Sequence, residues 1–312
     1  MFDDTALMAF LVTWMAASLR FAGPLLMAAL GETFAERAGV LNVGIEGTFL
    51  IGALVAFLAT QTSGMPTVGF LAALGVGALA NLFLAWMYVT VGANQVVVGI
   101  VFNIFAIGAA SYGYQLAAGE AATAELVPMF PKLDIPVLSD VPVIGQVLLS
   151  HSVLFYLTLA LMVLADLVLF RTRFGLNIRA VGENPHAAAN AGISVSRIRY
   201  QAVLLSGAAA GGAGAYLVLA EVGLFRDTIV AGQGFIAMAI VIFGRWRPLY
   251  AAFAAMAFGA AQALQLSLQL FEMNIPPQLL LSLPYVLTIV AVSGLIGRAN
   301  QPGALMQHYK GD

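Results

Sequence analysis

Residues able to make or break covalent bonds are few and scattered in this chain. His151, His186 and His308 stand far apart and share no metal-ligand spacing, and there is no cysteine to act as nucleophile, thiolate ligand or disulfide partner. Of the two lysines, Lys132 follows Pro131 and Lys310 follows Tyr309. A phosphate-binding loop needs its Lys at the end of a glycine-rich turn, GxxxxGK[ST], so that backbone amides and the ammonium together cradle the phosphates. Neither lysine sits in such a turn. The chain is expected to hold no metal or cofactor, to catalyse no reaction, and to leave any ATP and Mg²⁺ to another subunit.

Two other groups of residues point to recognition or to mechanical work. Asn42-Val43-Gly44-Ile45-Glu46-Gly47 sets an amide and a carboxylate between glycines inside an apolar run. Polar groups at membrane depth must find partners, and unwound backbone is tolerated there only where it is buried in protein or lines a cavity. The cluster therefore predicts a broken helix beside a solute path. The plainer alternative is a structural pair between Arg20 and Glu46, whose backbones differ in depth by roughly 5 Å, within an arginine's reach. Asn94, Gln95, Asn103 and Gln233 join Asn42 and Glu46 as candidates to line the path. Each also reads as an interhelical contact worth about 0.6 kcal/mol. Tyr112 and Gln262 are similar, Asp166 reads as a structural acid neutralised by Arg171 or Arg173, and Trp246 with Arg247 reads as an interfacial anchor.

The second group is Glu183-Asn184-Pro185-His186-Ala187-Ala188-Ala189-Asn190-Ala191-Gly192. Asn184 suits a helix N-cap, Pro185 the first helical position and Gly192 the position past the last turn. A short helix with a surface of small side chains is predicted. It can enter a groove on a partner, or lie as a connector along the membrane surface.

The elements that must position these residues follow from composition. Of 312 residues, 61% are hydrophobic and 9% charged, against about 25% charged in soluble domains. The bilayer is the solvent that fits, since each charge at its centre costs roughly 2.5 kcal/mol or more. Stretches such as 100–110 do not alternate apolar with polar residues, which argues against a transmembrane barrel. The net charge of −2 gives no support for nucleic-acid binding. Asp3 and Asp4 stand where a signal peptide would be positive, so the first apolar run is expected to stay in the mature protein.

Runs of about 20 apolar residues fall at 8–30, 39–60, 68–90, 95–118, 151–170, 200–220, 249–271 and 278–297, with a shorter candidate at 229–244 that is tilted or re-entrant. The 171–199 loop carries Arg171, Arg173, Arg179, Arg197 and Arg199 against Glu183 alone, which assigns it to the cytoplasm. The acidic, proline-rich stretch 119–150 is then external. Counting outward gives an all-α bundle of about nine transmembrane helices, one of them broken or re-entrant, with the N-terminus outside and the C-terminus cytoplasmic. Residues 1–312 read as one membrane domain that includes both loops.

Three stretches carry a resemblance: Gly31-Glu32 with Glu36 to Gly47, then Arg179 to Pro185, then Val241 to Pro248. Taken in order they resemble the membrane permeases of ATP-binding cassette (ABC) importers, in the simple-sugar and nucleoside branch related to the ribose and branched-chain amino acid permeases. The resemblance implies that residues 183–192 form a coupling helix docking on a cytoplasmic ABC ATPase. It also implies a second homologous permease or a copy of this one, and an extracytoplasmic solute-binding lipoprotein, all in the bacterial inner membrane. Relative to ribose permeases the chain begins one helix late, in keeping with an external N-terminus. A stand-alone secondary transporter or channel is the competing reading, against which stands the lack of an internal repeat or a midplane acidic cluster.

Overall fold

A computed structural model describes residues 4–118, 126–133, 144–270, 282, 286, 289 and 301–309. It is helical, with no strand among the described residues. α1 (Asp4–Arg37) runs through Pro24 and ends in a turn whose Gly39 takes φ +86°. Residues 38–44 are irregular, and α2 (Ile45–Ser63) follows. Pro66 opens α3 (Pro66–Ala85), which widens into a π-helical turn (Trp86–Val91) before α4 (Gln95–Ala118). A short α5 (Ile144–Leu148) precedes α6 (Val153–Arg171) and the amphipathic α7 (Arg173–Glu183), where Thr172 Oγ1 accepts from the Gly175 amide at 3.2 Å. The one-and-a-half-turn α8 (Pro185–Asn190) leads to α9 (Val195–Tyr216), which also ends in a π-helical turn (Leu217–Val222). α10 (Gln233–Phe243) and α11 (Pro248–Leu270) complete the described helices.

Seven of these helices are long and apolar enough to cross a membrane. They match the expected spans from the first through 249–271, apart from 229–244. There the only regular structure is the 11-residue α10, which rises about 16 Å and so covers roughly half of a 30 Å hydrocarbon core. The expected span 278–297, and Arg298 and Lys310 beyond it, lie outside the described residues, as does most of 119–150. Within that loop, the amides of Val127 and Phe130 donate to Gly223 O and Leu219 O at 2.8 Å, so residues 126–133 cover the end of α9.

α9 is the central helix: 78% of its membrane window is buried, against 28% for α4, α6 and α11. Small residues put it there, as the lack of a hydrophobic drive between helices in lipid leaves close packing to decide. A Cβ added to Gly211 would lie 2.2 Å from Ala73 O on α3, and one on Gly214 would lie 2.2 Å from Phe49 O on α2. The backbones themselves touch, so no larger side chain fits.

Candidate translocation site and coupling loop

Two of the non-helical stretches, 38–44 and 223–232, lie beside residues singled out from sequence. At 38–44 four helices stitch the irregular backbone down with side chains. Glu32 of α1 accepts from the Asn42 amide at 2.9 Å and from Ser206 Oγ of α9 at 2.7 Å. Asn42 Nδ2 donates to Asn81 Oδ1 of α3 at 2.7 Å and to Ser206 Oγ at 3.0 Å. Asn103 of α4 donates through Nδ2 to Val43 O at 2.9 Å and accepts from the Gly47 amide at 2.8 Å, while Gln95 Oε1 accepts from the Leu41 amide at 2.8 Å. All six side chains are buried. The break sits before α2 rather than inside it, and Asn42, Gln95 and Asn103 use their side chains to hold backbone and neighbouring side chains. Asn94 is exposed and takes the amides of Val96 and Val97 at the start of α4.

The expected pair between Arg20 and Glu46 is not formed. Arg20 Nε instead meets Glu221, in the π-helical turn that ends α9. Glu46 accepts from the amides of Gly232 and Gly234, each at 2.7 Å. Those amides open α10 and have no partner within their own helix, so a carboxylate there satisfies them and meets the positive end of the helix dipole. Gly234 lets the backbones come this close: a Cβ on it would lie 2.7 Å from Glu46 Cα.

Glu46 therefore fixes where α10 begins. The other end of α10 is fixed by α1, since Trp246 Nε1 donates to Glu36 Oε2 at 2.5 Å and Arg37 Nε donates to Trp246 O at 2.9 Å. Trp246 is buried, so the interfacial anchor expected of it is replaced by a lock between helices. Asp166 is half-buried and pairs with neither Arg171 nor Arg173 among the described residues. Between the end of α9 and Gln233 the chain is irregular, and it exposes Arg226, Asp227 and Thr228. Ser111 Oγ of α4 donates to Asp227 Oδ2 at 3.3 Å, beside the exposed Tyr112. Gln233 is half-buried at the head of α10.

At residues 183–192, Asn184 Oδ1 accepts from the Ala187 amide at 3.0 Å, Pro185 takes the first turn, and Gly192 adopts φ +82°. Pro185 and Ala188 face inward, while Glu183, Asn184, His186, Ala187, Asn190, Ala191 and Gly192 are exposed and Ala189 is half-buried. Residues 301–309 tie this loop to the first break. The Ala304 amide donates to Gly182 O at 2.8 Å, the Met306 amide to Gly39 O at 3.1 Å, and Arg199 donates to Ala38 O at 3.2 Å and Gln307 O at 2.9 Å. Among the described residues, no group of three His, Cys, Asp or Glu is placed to hold a metal ion.

The family described as branched-chain amino acid transport system, permease component, matches residues 14–292. The chain belongs to this family of transport permeases. It is 40% identical to the guanosine ABC transporter permease protein NupQ of Bacillus subtilis over 92% of this chain and 93% of the relative. It is 36% identical to the nucleoside ABC transporter permease protein NupC of Lactococcus lactis, over the same shares. It is 32% identical to a putative glucose ABC transporter permease protein of Haloferax volcanii, over 97% and 98%. No solved structure matches it significantly. The permease is a multi-pass plasma-membrane subunit of an ABC importer, and ATP hydrolysis belongs to a separate ATPase.

The sequence missed Glu32, Asn81 and Ser206 as partners of Asn42, and Arg226 to Thr228 as an exposed polar stretch of the permease. Asn81 could have been found, as the lone amide in the apolar run 68–90. Ser206 could not, because serine is common in packed membrane helices.

Proposed function

We propose that the permease forms one wall of a path for nucleosides, with the irregular stretch 223–232 and the head of α10 as its solute-facing part. The observation that carries this reading is the half-length α10. Its ends are tied to Glu46 and to Glu36, so non-helical chain must cover the remaining depth. Such backbone is tolerated in a membrane only inside protein or beside water, and Arg226, Asp227 and Thr228 are exposed rather than buried. Among the relatives compared, the two nucleoside permeases are more similar than the glucose one, which favours a nucleoside over a sugar.

In this reading the chain crosses nine times, with its N-terminus outside and 171–199 in the cytoplasm, and it folds as one domain. α8 and its flanks, Glu183 to Gly192, dock on the ATPase. A second permease closes the path and an extracytoplasmic binding lipoprotein delivers the solute. Closure of the ATPase moves α8, and the tail 301–309 carries that motion to 38–44 and so to Glu46 and α10. ATP and Mg²⁺ sit on the ATPase.

The test is uptake of labelled guanosine and glucose by proteoliposomes holding the reconstituted complex. Guanosine uptake that needs internal ATP and the ATPase is the expected result. Uptake by the permease alone under an ion gradient contradicts the reading. So does a His186→Cys variant labelled from outside intact cells by an impermeant reagent.

A further inference from the structure

α6 packs on α1 and α11 but stands away from α3 and α9, which leaves a wedge between them. The wedge is a lateral groove of about 530 Å³ lined by Phe34, Leu74, Leu161, Leu164, Phe174 and Leu205, among other apolar residues. Apolar cavities of about 150 Å³ already stay dry and bind benzene, so a groove several times larger within the spans holds hydrocarbon rather than water. A long, flexible apolar chain fits it.

One end of this groove is strongly basic. Its lining residues Val168 and Phe174 bracket Arg171 and Arg173 in the chain, and both arginines are exposed. Three more guanidiniums, from Arg37, Arg179 and Arg247, gather nearby around Phe170, which does not itself line the groove, at 5.9, 5.2 and 4.9 Å from the ring centre. Among the described residues none of the five is within ion-pair distance of a carboxylate, and Arg179 Nε is buried without an acceptor. Such clusters at the cytoplasmic surface draw anionic lipid headgroups, each Arg contributing about fivefold in affinity.

From this juxtaposition we infer that the permease binds an anionic phospholipid, with one acyl chain in the α1–α3–α6–α9 groove and the phosphate on Arg171 and Arg173. The inference uses the cytoplasmic placement of 171–199. That placement is tested separately by labelling at position 186, so the two can fail independently.

The experiment is native mass spectrometry of the intact transport complex, purified in mild detergent and offered equal phosphatidylglycerol and phosphatidylcholine. Retention of phosphatidylglycerol over phosphatidylcholine is expected. The preference should fall about fivefold in each of Arg171→Gln and Arg173→Gln and persist in Arg173→Lys. Ala208→Phe, at a lining position of the groove, should lower retention of both lipids while the complex stays assembled. Equal retention of the two lipids by the unaltered complex overturns the inference. Displacement of phosphatidylglycerol by millimolar inorganic phosphate overturns it too, because the site would then bind free phosphate. If the two Gln variants shed the ATPase while lipid preference is unchanged, the arginines serve the ATPase and the inference fails.

Discussion

Two interruptions of the helical path use backbone irregularity for opposite ends. At 38–44 the exposed peptide groups are met by Glu32, Gln95 and Asn103, and Asn42 is locked to Asn81 and Ser206, all of it shielded from solvent. At 223–232 Glu46 holds one end and the Val127 amide holds the Gly223 carbonyl at the other, while the charged and hydroxyl side chains of 226–228 between them stand in the open. A closed polar network gives position, and an open one leaves hydrogen-bonding capacity for a passing solute. Under the proposed function, the first break serves structure and the second recognition.

Variants in the closed break should cost most in stability. Asn42→Ala strips Asn81 Oδ1 of a buried donor and should destabilise the purified permease by about 2 kcal/mol, seen as a lower thermal midpoint. A change in solute preference without loss of stability would reverse the assignment. Glu46→Gln sits where the breaks meet. One amide oxygen can still accept, but the new NH₂ opposes the other backbone N–H, so a loss of about 1 kcal/mol is expected together with reduced uptake. Unchanged uptake and stability would remove Glu46 from the account.

Smaller effects separate the proposed coupling loop from the open break. Asn184→Ala removes a cap from an exposed, short helix and should cost about 0.5 to 1 kcal/mol locally. Its main readout is weaker co-purification of the ATPase. Thr228→Ala should change stability by less than about 0.5 kcal/mol, as surface substitutions do, yet alter the solute concentration for half-maximal uptake. A large stability loss there would mean that 223–232 is packed structure and not a path.

How much of this was legible in the sequence differs between the parts. The spans could be read because an apolar run of about 20 residues is dictated by the bilayer itself. Asn184, Pro185 and Gly192 gave the short helix α8 because capping chemistry is local. Glu46 was recognised as a polar group needing a partner, but its partner was misjudged. Depth along neighbouring spans favoured Arg20, whereas the structure brings two backbone amides from nearly 190 residues away, and amides carry no sequence signature. Arg226 to Thr228 could not be singled out because nothing in their composition reveals that α10 is half a span.

The most direct test uses the natural absence of cysteine, which makes single thiols clean reporters. Thr228→Cys and Ser206→Cys are reacted with a membrane-impermeant maleimide in the assembled importer, with and without nucleoside. The account predicts labelling at 228 that nucleoside slows, and none at 206. Labelling at 206 with 228 inert would contradict it.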